Sequence, residues 1–149
     1  MSLVVASVEL KIPDNTAFTA YDALARMGLE EIGDVKRSDV WLIDADGLPQ
    51  DILAALKRTE IIFNPNKHVL RSLQSDRPVS GEIWVATPSR SHARERRLLE
   101  QAGLSGVRSV ESRVRWLLLD RRGTPCGRPV LKRAQELLAN PAYQDALIA

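Results

Sequence analysis

Gly103 to Asp120, GLSGVRSVESRVRWLLLD, repeats in outline a stretch that the chain has already used at Gly28 to Ala45, GLEEIGDVKRSDVWLIDA. Both run Gly-Leu, five residues, Val, five residues, Trp-Leu. Gly28, Leu29, Val35, Trp41 and Leu42 therefore recur 75 positions on as Gly103, Leu104, Val110, Trp116 and Leu117. Carried backwards, the offset pairs Leu24 with Leu99 and Pro13 with Pro88. It also sets Val8, Leu10 and Ile12 over Ile83, Val85 and Thr87, and Glu9 over Trp84. The weight lies in which residues match: Trp, Gly and Pro, with apolar sites in phase. Past the tryptophan one residue is inserted, and Gly47, Pro49, Asn64 and Pro65 find Gly123, Pro125, Asn140 and Pro141. Two copies at this period read as a duplicated unit, 1–75 and 76–149, with pseudo-two-fold symmetry.

Composition bounds the class. The 149 residues are 44% hydrophobic and 27% charged, which suits a globular chain rather than a disordered one. A unit of about 75 residues is marginal alone because it buries a smaller share of its surface, so the halves are expected to pack together. No apolar run approaches the roughly 20 residues of a membrane span, and the first residues show no charged-then-apolar signal pattern. Cys126 is the sole cysteine and excludes an intrachain disulfide. The expected location is cytoplasmic. The first repeat carries 8 Lys/Arg against 11 Asp/Glu and the second 13 against 8, an asymmetry that suits complementary packing with solvated charge.

Along the chain, Val4 to Ile12 alternates and predicts a half-buried strand with Ala6, Val8, Leu10 and Ile12 inward. Asp14, Asn15 or Thr16 caps a helix whose stripe is Phe18, Tyr21, Leu24 and Ala25 and which stops at Gly28. Ile32 to Asp44 reads as a long bent strand or a hairpin pair, and Asp46-Gly47-Leu48-Pro49 as a turn. A helix from Gln50 to about Phe63 presents Ile52, Leu53, Leu56 and Ile61, and Asn64-Pro65 closes it. His68 to Leu73 is a short strand, followed by a linker over 74–80. The second copy repeats the plan with strand Glu82 to Thr87, helix Ser91 to Ala102, strand Val107 to Leu119 and a helix from Pro129 to Ala139. In that long strand Val110, Val114, Trp116 and Leu118 face the core, while Glu111, Arg113 and Arg115 face water. Strand-helix-strand-helix-strand, twice, is an α+β fold: a pseudo-two-fold antiparallel sheet with helices on one face.

The order strand, helix ending in Gly-Leu, Val and Trp-Leu on the next strand, then a helix ending in Asn-Pro, resembles the PurS subunit of phosphoribosylformylglycinamidine synthase. Its carriers are Leu24, Gly28, Leu29, Asp34, Val35, Leu42 and Asn64-Pro65, then Leu99, Gly103, Leu104, Val110, Leu117 and Leu137-Leu138-Ala139-Asn140-Pro141. The resemblance covers nearly the whole chain. It departs at the loop before the first helix, where Pro13-Asp14-Asn15-Thr16 and Pro88-Ser89-Arg90-Ser91 stand in place of the family's Asp-Pro-Gln-Gly. It implies a tandem pair of PurS-like units acting as a non-catalytic assembly subunit in a purine biosynthesis protein complex. The implied partners are the ATP-dependent synthetase and glutaminase subunits; a homo-oligomer is a further option, and nucleic acid and membrane are not expected. The alternative, from the architecture alone, is a small-molecule-sensing α+β domain.

The residues offer little chemistry of their own. There is no Gly-rich phosphate loop, His-Glu-x-x-His or Gly-x-Ser-x-Gly, so no catalytic residue, cofactor or metal ligand is expected. His68 and His92 lie in different copies without partners at ligand spacing. Asp44-Ala45-Asp46-Gly47 has the look of a clipped calcium loop, but lacks the later ligands and reads as a turn. Cys126 sits in a Pro-Cys-Gly turn with no base beside it in sequence. Arg90, Arg94, Arg96 and Arg97 crowd one helix, diluted by Glu95 and Glu100, and read as a solvated face or a protein-partner patch through Arg94 and Arg97. Trp84, between inward Ile83 and Val85, is expected to point outward to an inter-half or intersubunit interface.

Overall fold

A computed structural model describes residues 2–149. Its elements are β1 (Ser2–Leu10), α1 (Asn15–Arg26), β2 (Ile32–Ala45), α2 (Pro49–Thr59), β3 (His68–Leu73), β4 (Glu82–Ala86), α3 (Ala93–Gln101), β5 (Ser109–Asp120), α4 (Arg128–Leu138) and β6 (Asp145–Ile148). This is the α+β architecture: four helices and one six-stranded antiparallel sheet in the order β3-β1-β2-β5-β4-β6. No helix among the described residues is long and apolar enough to cross a membrane.

The two sequence repeats each supply one strand-helix-strand-helix-strand set, yet the compact units of the chain do not follow the boundary at 75. One unit comprises 1–12, 39–76 and 90–112; the other comprises 13–38, 77–89 and 113–149. The first unit joins β1, the end of β2, α2 and β3 to α3, a helix of the other repeat. Its core contains Val4, Ala6, Val8, Trp41, Ile43, Ile52 and Leu56 together with Leu99, Leu104 and Val107. The second unit makes the reciprocal choice. Ala17, Leu24 and Leu29 of the first repeat are buried with Ile83, Val85, Trp116, Leu118, Leu131 and Ala134 of the second. The first helix of each repeat is thus exchanged, and each core is finished by residues from both repeats.

Local chemistry is copied faithfully between repeats. Gly28 and Gly103 end α1 and α3 at φ of +91° and +105°, conformations that a side chain rarely adopts. The N–H of Leu29 then donates to Leu24 C=O at 3.2 Å, and that of Leu104 to Leu99 C=O at 3.0 Å, folding each Leu back over the helix end. The Asn-Pro turns match just as closely. The N–H groups of His68 and Gln144 donate to the carbonyls of Asn64 and Asn140, both at 2.8 Å. In return the Asn64 N–H donates to His68 Nδ1 at 3.1 Å and the Asn140 N–H to Gln144 Oε1 at 2.8 Å. His68, the first residue of β3, therefore closes the preceding turn with its ring.

Several expectations need correction. β1 stops at Leu10, and Ile12 beyond it is 69% exposed instead of inward. On α1 the buried residues are Ala17 and Leu24, two turns apart on one stripe, while Phe18 faces solvent. α2 ends at Thr59 because Glu60 turns into the left-handed region at φ 55°, before Asn64-Pro65 is reached. α3 begins at Ala93, two residues later than expected. The alignment of first strands also slips by two: Trp41 pairs with Ala6 and Trp116 with Ile83, so Ala6 corresponds to Ile83 and Val8 to Val85. Trp84 is the counterpart of buried Ser7, not of Glu9. A shift of two keeps every side chain on its face, which is why the apolar pattern could not reveal it.

Because Leu99, Leu104 and Val107 complete the first core, a chain of residues 1–75 alone should not fold as a monomer. Its circular dichroism and amide spectra are expected to show an unfolded chain, or a dimer that lends α1 between copies, with native structure recovered on mixing with 76–149. A folded monomer of 1–75 would contradict the exchange.

Candidate functional site

Glu82 is the best-served buried charge in the second unit, at 3% exposure. Its Oε1 accepts the N–H of Val79 at 3.0 Å and the indole N–H of Trp84 at 3.1 Å. Its Oε2 accepts Arg115, whose Nη1 also donates to Ser38 Oγ at 3.3 Å. Trp84 lies in an unbroken ladder opposite Arg115 and Leu147, with Ile83 and Val85 turned to the helix-side core. It is only 2% exposed within the single chain, so a partner subunit cannot reach it. The expected wet face of β5 is corrected by the same network: the Arg115 side chain is drawn in to neutralise Glu82 and keeps 17% exposure.

In the first unit the acid pair of the β2 end is closed by a guanidinium. Arg108 Nη2 donates to Asp44 Oδ1 at 2.9 Å and Nη1 to Asp46 Oδ1 at 2.7 Å. Backbone bonds hold the same junction, with the Asp46 N–H on Ser105 C=O at 3.0 Å and the Arg108 N–H on Asp44 C=O at 2.8 Å. A Cβ at Gly106 would run into the Asp46 carboxylate, and Gly106 sits at φ +61°. The hydrogen bond from Arg108 lowers the Asp46 pKa below the ordinary carboxylate range, while Asp44 and Asp46 raise that of Arg108. Among the described residues no group of three or more His, Cys, Asp or Glu is placed to hold a metal ion. Cys126 is 7% exposed in the second core; burial, helped by Asp120 and Glu31, pushes its thiol up and away from the reactive thiolate.

One polar concavity of the first unit lies at the N-terminus of α3; another, of about 420 Å³, is lined by Asp46, Asp51, Arg58 and Ser105 among others. Ser91, His92, Arg96, Arg97, Ser109 and Glu111 line the α3 cleft, of about 590 Å³, together with Ala93, Glu100 and Val110. His92 is 9% exposed and stands edge-on to Trp41, with ring centroids 4.9 Å apart. Its Nε2 is 2.7 Å from Ser112 Oγ, while Nδ1 has no hydrogen-bond partner and lies 3.7 Å from Glu95 Oε2. Arg94 and Arg97, the interface candidates, are exposed on this helix, and Arg97 lines the cleft. Sequence reading passed over His92 because its neighbours Trp41 and Ser112 are distant in the chain. His92 aligns with Ala17, whose burial is itself visible only in the structure.

In the second unit Trp116 floors a shallower groove of about 450 Å³ between α1 and α4, lined by Asn15, Thr16, Thr19, Ala20, Ala23, Leu137 and Leu138. Ala20 and Ala23 leave this space because they stand where the other repeat has Glu95 and Leu98.

Two measurements check this account. Removing one partner of the buried pair, as in Glu82→Ala, strands Arg115 and is expected to lower stability by about 3–5 kcal/mol in denaturant unfolding. A loss under 1 kcal/mol would show the network to be incidental. The Asp46 carboxyl carbon, followed by NMR, should titrate below the ordinary value of about 3.9. A depressed folded-state pKa means that its contribution is present above the unfolded pKa and is lost as pH falls through the folded one. Arg108→Gln should return the titration to the ordinary range.

No family model matches this chain, and no curated protein matches it.

Proposed function

We propose that the chain is a non-catalytic, PurS-like assembly subunit of phosphoribosylformylglycinamidine synthase, working in the cytoplasm in purine biosynthesis. The observation that carries this reading is the doubled strand-helix-strand-helix-strand set in one six-stranded sheet, with a Gly-Leu helix end and an Asn-Pro turn in each copy. Those are the residues on which the resemblance to PurS rests. In this role the protein brings together the synthetase, which converts formylglycinamide ribonucleotide to the amidine with ATP, and the glutaminase that supplies ammonia. The chain itself performs no bond-making step.

Assembly then has to use exposed residues, since Trp84 is closed off. Arg94 and Arg97 on α3 are available, as are the exposed apolar side chains Phe18, Leu137 and Tyr143 of the second unit. The test is reconstitution with the synthetase and glutaminase subunits. The three chains are expected to co-purify, and glutamine-dependent activity is expected to require this one while ammonia-dependent activity persists without it. Full glutamine-dependent activity in its absence would overturn the proposal. The second reading, a small-molecule-sensing domain, is favoured by the α3 cleft and would declare itself as ligand-induced thermal stabilisation without any subunit association.

A further inference from the structure

The two units treat their central tryptophans differently. In the first, the ring of His92 stands edge-on to Trp41, with centroids 4.9 Å apart. In the second, Ala17 takes the position of His92, and among the described residues no ring stands against Trp116. Trp116 instead lines the groove of about 450 Å³ between α1 and α4. That volume is in the range of small-molecule sites.

The other repeat shows how such a space is filled when it is filled from within. Asn15, Thr16, Thr19, Ala20 and Ala23, which form the α1 wall of the groove, correspond to Arg90, Ser91, Arg94, Glu95 and Leu98. Where α3 and its approach carry three charges and a leucine, α1 carries short neutral side chains. The α4 wall, Leu137 and Leu138, is apolar like its counterparts Ile61 and Ile62. An open groove against a buried indole leaves dispersion contacts unmade, so the fold itself gains nothing by it.

We propose that this groove binds a planar, uncharged aromatic heterocycle of one or two rings, lying against Trp116, Ala20 and Ala23 with its polar edge toward Asn15 and Thr16. A flat ring is what the first unit keeps against its own tryptophan, and ring pairs gain beyond the area they bury. The ligand is uncharged because no charged side chain lines the groove, and a charge entering it would be desolvated without a partner. Asp14, just before α1, is already occupied. Its Oδ1 accepts the N–H of Thr16 at 2.9 Å and of Ala17 at 3.2 Å, and Arg37 Nε donates to Oδ2 at 2.9 Å. A polar edge, by contrast, finds partners. The Asn15 amide and the Thr16 hydroxyl make no hydrogen bond among the described residues, and Thr19 Oγ1, which donates to Asn15 C=O at 2.9 Å, can still accept one.

The site lies wholly in the second unit, apart from the α3 cleft, and does not rest on the assembly role. A failed reconstitution and a failed titration are therefore separate results.

The experiment is an NMR titration of the whole protein, following amides and tryptophan indole N–H groups, with three probes. Quinazolin-4-one is planar, neutral and has a polar edge; quinoline-2-carboxylate is planar but charged; cyclohexanecarboxamide is neutral but not aromatic. Quinazolin-4-one is expected to give saturable shifts at Ala20, Ala23, Leu138 and the Trp116 indole, with the Trp41 and Trp84 indoles unmoved. The other two probes should bind about tenfold more weakly or worse, the upper range of one aromatic contact. Ala23→Leu, which restores the residue type of Leu98, should abolish binding. Thr19→Arg, an exposed change that copies Arg94, should weaken it about tenfold without touching the core. Arg97→Gln, in the first unit, should leave it unchanged. Absence of saturable shifts with quinazolin-4-one, or undiminished binding by the Thr19→Arg variant, would overturn the site. Equal binding of cyclohexanecarboxamide or quinoline-2-carboxylate would overturn the ligand class. Shifts at these same residues that track protein concentration without any probe would place a second copy in the groove and overturn the ligand.

Discussion

Leu24 and Leu99 are both fully buried, and each is buried in a core built mainly from the opposite repeat. The rest of the structure depends on this exchange. A single copy has three strands and two helices, too little apolar surface for a secure core of its own. Handing its first helix away gives each core a helix that its own repeat does not provide. The long strands make the exchange possible, because β2 and β5 each run through both units, changing membership after Ser38 and Ser112. The Gly-Leu endings matter for the same reason: they set where the chain leaves the donated helix and re-enters the sheet.

A second constraint is that both faces of the sheet are buried in places. On the face away from the helix-side cores, Val5, Ser7, Val40 and Leu42 are buried in the first unit and Glu82 and Trp84 in the second. The first unit meets this with apolar side chains and a serine. The second places a carboxylate there, which is tolerable only because each oxygen is occupied and a guanidinium stands against it. Equivalent strand positions, Ser7 and Trp84, thus solve the same problem with different chemistry.

The same divergence appears at the helix starts. The two repeats share their backbone turns and differ at positions that only need to be compatible with them. α1 became self-contained through Asp14 and Arg37, with small residues Ala17, Ala20 and Ala23 toward its neighbours. α3 has His92, Glu95 and Leu98 at those stations, and His92 lines the open polar cleft with Arg96 and Arg97.

The sequence by itself determined the duplication, the α+β class, the order of elements and the turns at Gly28, Gly103, Asn64 and Asn140. These are local: a positive φ, a proline after asparagine and an apolar period are written within a few residues of where they act. Only the tertiary structure decided which repeat each helix joins, because Leu24 and Leu99 show an identical buried stripe whichever sheet receives them. It decided the strand register for a related reason, since a slip of two leaves every face unchanged. It also decided that Trp84 is enclosed, because alternation tells which face a side chain takes and not whether that face meets water. Glu82, Arg115 and Ser38 are far apart in the chain, as are His92, Trp41 and Ser112. Long-range pairings of this kind have no period or spacing to announce them, and exist only once the strands are laid side by side.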